Sequence, residues 1–411
     1  MTYLAFLQAN RRWLAGGFLL TLSSSFGQTF FISLFGGEIR GEFGLSHGDF
    51  GGLYAIATVA SAITLVWLGK LADHMRIAPL SIGAVAGLAL ACAGMGAVGS
   101  IWMLVLVLFG LRLFGQGMLG HIAMTAMGRW FSAQRGRAVS IASLGFAAGE
   151  AVSPALAVAL AGFIGWRQTW FVGAGILVFL SIPIIWSLFA VRRIPAKAPV
   201  DGLTDDVHPE VKSWTRREVL RDVLFYALMP GLLAPSFITT GVFFHQVHLV
   251  EIKGWSLGLF AGGYPLFAAC AVVTGLWAGS AIDKWNAARL LPAYLLPLAG
   301  GLLILAFFDG GWAAFGFMFL SGLTVGVSAT IAGALWAETY GIAHLGSIRA
   351  LATSMMVLST AASPGFMGWL IDTGIGLETQ FVWMAVYIVV VSASSIALAR
   401  ALQMRHHTQV A

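Results

Sequence analysis

Displaced by 210 residues, this chain falls on itself. Gly44, Ser46, Gly48, Phe50, Gly52, Tyr54, Thr64, Trp67, Gly69 and Asp73 land on Gly254, Ser256, Gly258, Phe260, Gly262, Tyr264, Thr274, Trp277, Gly279 and Asp283. Further along, the same shift sets Gly136, Ser153 and Pro154 on Gly346, Ser363 and Pro364. A chain written twice in this way is constrained to fold as two like halves.

Composition decides what surrounds those halves. Of the 411 residues 59% are hydrophobic and 10% charged, and the mean hydropathy is +0.87. No soluble domain of this length could cover itself with so little polar surface. Apolar runs long enough to cross a hydrocarbon core of about 30 Å recur, each with the length of a helix rather than a barrel strand. Twelve spans are expected, near 12–36, 49–68, 79–98, 101–126, 138–162, 168–190, 222–247, 257–280, 288–308, 311–336, 347–371 and 379–401. The fold class is therefore an all-α integral membrane protein of two homologous six-helix bundles, 1–191 and 222–411, joined by a linker over 192–221. In a hydrophobic chain with such a repeat, the working parts of a carrier lie between the halves. The first span follows Arg11 and Arg12 without a small-residue cleavage site, so it is expected to be retained. Cys92 and Cys270 both fall inside spans, which indicates neither a disulfide nor a metal cluster.

The basic excess needs no nucleic acid to explain it. With a cytoplasmic amino terminus, 19 of the 23 Lys and Arg lie on the cytoplasmic side. Arg40, Arg167 and Lys253 lie outside, and Arg112 lies within the bilayer. Both termini are therefore expected to be cytoplasmic, in a multi-pass protein of a bacterial-type inner membrane. The linker carries Pro195, Pro199, Pro209 and most of the clustered charge, and Ser213 is expected to cap a short surface helix running to Arg221.

GKLAD at Gly69 to Asp73, followed by Arg76, sits after span two, and GSAID at Gly279 to Asp283 repeats it after span eight. With twelve spans and a long central loop, this resembles the major facilitator superfamily over nearly the whole chain. Arg76 stands where that loop signature carries a glycine, and Ile77 where it carries a basic residue. RWFSAQRGRA at Arg129 to Ala138 and SWTRREVLRD at Ser213 to Asp222 resemble the monocarboxylate and oxalate/formate carrier branch. The acidic-Gly-Gly-aromatic motif of that branch is not visible in span one, and span eight has no cation. The resemblance implies alternating access, a small-molecule substrate and a monomer.

Asp73 and Asp283 end spans two and eight, near the amino-terminal turns of spans eleven and five, where a carboxylate gains roughly 0.3 to 1 kcal/mol from a helix terminus. Gly69, Asp73, Arg76, Gly279 and Asp283 are thus candidate gate residues, the glycines allowing close helix approach. The plainer alternative is that the two aspartates only cap helices and mark topology.

Charge within the bilayer is the sharper signal. Arg112 lies about 14 residues from the near end of span four and Glu150 about 12 from that of span five, so at 1.5 Å per residue they sit about 21 Å and about 18 Å deep. An arginine there cannot shed its proton and needs an anion, which Glu150 can supply, as can a substrate. Either Arg112 holds a substrate anion while Glu150 takes a proton, or the two form a permanent structural pair. Gln28, Gln116 and Tyr264 are candidate cavity residues, and His121, His245 and His248 candidate proton carriers, set against ordinary helix packing and a satisfied structural histidine. Gly145, Gly149 and Pro154 partly resemble an antiporter motif, or simply pack helices. Pro265, after Tyr264, should loosen span eight.

Three functions compete. The first is a carrier of a small organic anion, monocarboxylate-like, coupled to protons by symport. The second is a proton-coupled efflux antiporter for amphipathic compounds, and the third a non-transporting receptor or membrane enzyme. No phosphate-binding loop, metal-ligand motif or nucleophile with its base stands out, so no enzyme, cofactor or metal is expected. The partners expected are the substrate, protons and the lipid bilayer.

Overall fold

A computed structural model describes residues 3–131, 134–191, 193, 213–341 and 343–410, with no strand among them. Ten helices are long and apolar enough to cross a bilayer alone. They are spans two (His47–Leu68), three (Ile77–Gly96), four (Ile101–Trp130), five (Arg135–Ile164), six (Trp166–Phe189), seven (Val223–Phe244), eight (Leu257–Trp285), ten (Trp312–Tyr340), eleven (Leu345–Asp372) and twelve (Leu377–Arg405). Span one is a bent pair, Ala5–Gly27 and Thr29–Phe43, turning by 43° between them. Span nine is the short helix Leu296–Phe307. Pro292 and Pro297 lack the N–H that would extend it backwards, so its entry is a 3-10 turn, Ala288–Leu290, followed by further turns. This is a twelve-helix membrane fold of two homologous halves, and its surface agrees with that solvent: Trp102, Phe163 and Phe179 are each more than four-fifths exposed, which hydrocarbon rather than water tolerates.

The repeat survives in the element boundaries. Span two begins at His47 and span eight at Leu257, each after a left-handed glycine, Gly44 or Gly254, at φ 63°. Ser46 and Ser256 cap the two helices by accepting the N–H of Asp49 and Leu259. Spans five and eleven start 210 residues apart, at Arg135 and Leu345, and carry Pro154 and Pro364 in their interiors. Span eight is interrupted where expected. Gly262 and Gly263 form a turn, and Pro265 opens the helix that resumes at Tyr264.

Two expectations shift. Span one starts at Tyr3, so Arg11 and Arg12 lie inside its helix. The short helix before span seven is Arg216–Val219, and Thr215 rather than Ser213 caps it, because Glu218 stands three residues on and completes a reciprocal capping box. Linker residues 194–212 lie outside the described residues.

The chain divides into two compact units, Met1–Gly202 and Leu203–Ala411, each latched at both ends. In the first, Arg12 donates to the carbonyls of Leu188, at 2.7 Å, and Ser187. At the opposite end Arg167 binds the carboxylate of Glu42 and the carbonyls of Gly96 (2.9 Å) and Val98 (2.6 Å). In the second unit Asp222 accepts from Arg405 at 2.5 and 3.0 Å and from the Tyr340 hydroxyl at 2.8 Å. Burial alone would raise the Asp222 carboxyl, but those hydrogen bonds and one from the Leu224 N–H hold it below the usual carboxylate range. At the far end Lys253 sits between Asp309 (2.6 Å) and Glu378 (2.5 Å). Burial would lower its ammonium, and the two carboxylates raise it instead.

Candidate functional site

Span one is the least regular helix of the first unit. Its sequence Ser23-Ser24-Ser25-Phe26-Gly27 offers hydroxyls that compete for the backbone, Ser24 donating to the Thr21 carbonyl (2.6 Å) and Ser25 to that of Leu22 (2.7 Å). The helix tightens to 3-10 geometry over Ser24–Gly27, and Gln28 is extended at ψ 153°. A break inside a membrane span leaves carbonyls without helical partners, and these must be met by the protein or by a ligand.

Span four supplies the partner. Over Leu111–Leu119 it is wound as a π-helix, a form often found at functional sites. Gly115 in this stretch meets Gly27 so closely that a Cβ on it would stand 2.6 Å from the Gly27 Cα. The contact brings Arg112 to the break, where its Nη1 donates to the Gly27 carbonyl at 3.1 Å and to the Thr29 hydroxyl at 3.4 Å. Its guanidinium carbon lies 5.1 Å from the centre of the Tyr54 ring, whose hydroxyl shares a 2.7 Å hydrogen bond with Thr29. Arg112 is 1% exposed and its Nε has no hydrogen-bond partner among the described residues. A carbonyl dipole and a ring face offset part of the charge, but neither is a counter-ion.

Of the two counter-ions left open for Arg112, Glu150 is not paired with it here. Arg112 forms no ion pair among the described residues, because its donors are turned to spans one and two. Span five instead meets span one through small residues: Gly149 packs on the Ser25 side chain, and the Thr21 hydroxyl donates to the Ala142 carbonyl at 2.6 Å. Glu150 is half-buried and has no hydrogen bond or ion pair to any described residue. One turn on, the buried Ser153 hydroxyl is likewise without a partner.

The other candidates divide. Gln28 forms the break itself, with its amide donating to Ser24 at 3.4 Å. Gln116 lies in the π-helical stretch and is exposed. Tyr264 and His245 are core residues of the second unit: Tyr264 is fully buried and donates to Gln246 at 3.1 Å, and His245 bonds the Pro364 carbonyl at 3.0 Å. His121 bonds the Gly69 carbonyl at 3.0 Å, and His248 stands 3.7 Å from Glu251. Of the gate candidates, Gly69 is approached by span four, with a Cβ there falling 3.3 Å from the His121 Nε2, and Arg129 donates to Ala72 of the same loop at 2.6 Å. Gly279 faces open space, so the close approach expected of both glycines holds only for the first. Arg76 and Asp283 are exposed, and the Asp73 side chain lies outside the described residues. Sequence reasoning missed Gly27, Thr29 and Gly115. Their signal was the run of small polar residues inside an apolar span, facing another in Gly115-Gln116-Gly117.

Comparison with known proteins gives the site its context. The sequence profile of the Major Facilitator Superfamily matches residues 17–318. Among curated proteins none matches the chain at the level of sequence. A bacterial homolog of the human lysosomal transporter Spinster, solved inward-facing and unoccupied, is similar in fold with a TM-score of 0.74 at 15% identity, covering 96% of this chain and 98% of that one. The nucleoside transporter NupG follows at 0.67 and 13%, covering 95% and 98%. With twelve spans in two repeated halves and a profile match over most of its length, the chain belongs to the major facilitator superfamily: it is a multi-pass membrane protein and a secondary transporter working by alternating access, not an enzyme.

Proposed function

We propose that this transporter carries a small organic anion, monocarboxylate-like, coupled to protons. One observation carries the reading: a buried, permanently charged arginine stands at a helix break with an unused Nε–H and no carboxylate partner among the described residues. A substrate carboxylate provides the counter-ion, gripped by the planar guanidinium through two parallel bonds. Glu150, which has no cation beside it among the described residues, takes the proton. Gln28 and Gln116 offer amide hydrogen bonds to the substrate, and Asp73, Asp283 and Arg76 act at the gate. The protein works as a monomer in the inner membrane with both termini cytoplasmic. The test is uptake into proteoliposomes of a panel of monocarboxylates and uncharged analogues, with and without an imposed pH gradient. Saturable, gradient-driven uptake of at least one carboxylate, and of no uncharged analogue, is the expected result; equal uptake of the neutral compounds sinks the proposal.

A further inference from the structure

The buried hydroxyl of Ser153 has no hydrogen-bond partner among the described residues, and the packing of span five says what it faces. Spans one and five run side by side in step. A Cβ on Gly145 would strike Phe18 and Thr21, and one on Gly149 would strike Leu22 and Ser25. Four residues along one helix answer to four along the other, so the next turn brings Ser153 to residues 26–29, where span one breaks.

The repeat singles out one group within that stretch. Ser363 is the counterpart of Ser153, and its hydroxyl donates to the Phe237 carbonyl at 2.6 Å. Phe237 is in turn the counterpart of Gly27. The carbonyl that a serine holds in the second half is therefore the one that Arg112 Nη1 holds, at 3.1 Å, in the first. Gly322 stands at the repeat of Arg112 and has no side chain to compete there. In the first half one carbonyl has two candidate donors, and the arginine has displaced the serine. A buried hydroxyl left without a bond is costly, and such a group calls for a second task.

We infer that Ser153 is the stand-in donor for the Gly27 carbonyl, taking it over when Arg112 turns to the substrate. Arg112 is 1% exposed, so a carboxylate cannot grip its fork while the side chain stays where it is. Turning it toward a ligand strips the Gly27 carbonyl of its donor. A buried carbonyl left bare would weaken substrate binding by its own desolvation cost, and the Ser153 hydroxyl removes that cost, as Ser363 does at Phe237. Ser153 is a positioning residue: it acts on the break in span one and not on the substrate. The substrate's part in releasing Arg112 rests on the anion reading above, whereas the exchange of donors stands on the repeat alone.

The test is a melting cycle on the full chain in neutral detergent, which needs no substrate. Ser153→Ala alone should leave the melting temperature within about 0.5 °C of the parent, because the hydroxyl it removes has no partner. Placed on Arg112→Met, which vacates the Gly27 carbonyl, the same change should lower it by about 2 °C, since the stand-in is then missing. An equal effect of Ser153→Ala in both backgrounds, nil or large, overturns the inference. Carboxylate uptake is the second measurement, and it decides where Arg112→Met does not fold. Ser153→Ala should raise the half-saturation constant about fivefold with the maximal rate kept within about twofold, and Ser153→Thr, which keeps the hydroxyl, should stay near the parent. An unchanged constant in Ser153→Ala overturns the inference as well. Should no carboxylate be carried while the melting cycle is non-additive, the anion reading fails and the exchange of donors stands.

Discussion

Tyr54 in the first half and Tyr264 in the second occupy the same place in the repeat, and both are fully buried. Around Tyr264 the visible polar groups are consumed: its hydroxyl goes to Gln246, His245 bonds the Pro364 carbonyl, and Ser363 donates to the Phe237 carbonyl at 2.6 Å. Tyr54 instead lies under Arg112, whose Nε has no partner among the described residues, and the hydroxyl of Ser153, the repeat of Ser363, has none among them either. At the repeat of Arg112 stands Gly322, against which span eight packs so tightly that a Cβ would fall 2.6 Å from the Phe267 carbonyl oxygen. A satisfied polar network in low dielectric rigidifies, whereas an unsatisfied one is costly unless something else completes it. The difference teaches that the same scaffold is used once as a packed support and once as a place to receive charge.

The contrast can be broken most directly at Arg112. Arg112→Met should lower the initial rate of carboxylate uptake by about a hundredfold, the loss expected when one partner of a buried charge contact worth about 3 kcal/mol is removed. Arg112→Lys keeps the charge but not the fork, and should weaken apparent affinity by about tenfold. Normal uptake in the methionine variant would end the assignment.

Glu150→Gln tests the other half of the site. It should abolish accumulation driven by a pH gradient while leaving substrate exchange within about threefold of the parent, since the shape is kept and only the proton is lost. Because Glu150 and Arg112 are not paired, the double variant Arg112→Met, Glu150→Met should show no rescue of activity or melting temperature, the two effects adding within about 0.5 kcal/mol. Recovery in the double variant would reveal a structural ion pair in some other state of the carrier.

A smaller effect separates the two tyrosines. Tyr54→Phe removes the Thr29 hydrogen bond beside Arg112 and should raise the half-saturation constant by about fivefold, while Tyr264→Phe should lower thermal stability by about 1 kcal/mol with the constant unchanged. Equal effects at both positions would erase the proposed asymmetry.

The least effect concerns pH. Asp222 has its folded-state pKa depressed by Arg405 and Tyr340 against the opposing pull of burial. Its stabilising contribution is therefore fully present above the ordinary value of about 3.9 and lost as pH falls through the lower folded value. Melting scans below pH 4 should show the parent converging on Asp222→Asn. Parallel curves throughout that range would mean that the carboxylate adds nothing.

Much of this was legible in the sequence because the bilayer makes sequence legible. Every span must be apolar and helical, so twelve runs and a 210-residue repeat locate the spans and the prolines of spans five and eleven. That Arg112 lies well inside span four was legible as well. Its partner was not. Pairing depends on rotation about each helix axis and on where a helix breaks, and the break at Gln28 arises from hydroxyls competing with backbone carbonyls, a contest settled by what packs against them. For the same reason Tyr264 and His245 read as possible cavity residues although neighbouring carbonyl and amide groups occupy them.

The latches at Arg167 and Lys253 bear on how the protein is made. Glu42 must wait 125 residues for Arg167, and Lys253 another 125 for Glu378, so each bundle locks only when its sixth helix has left the ribosome. The signs are reversed between the two. Were span seven to take the place of span one during insertion, Lys253 would face Arg167, and were span one to take the place of span seven, Glu42 would face Glu378. A duplicated gene whose halves could otherwise trade helices thus carries, in four charged side chains, a rule of assembly that rejects the exchange.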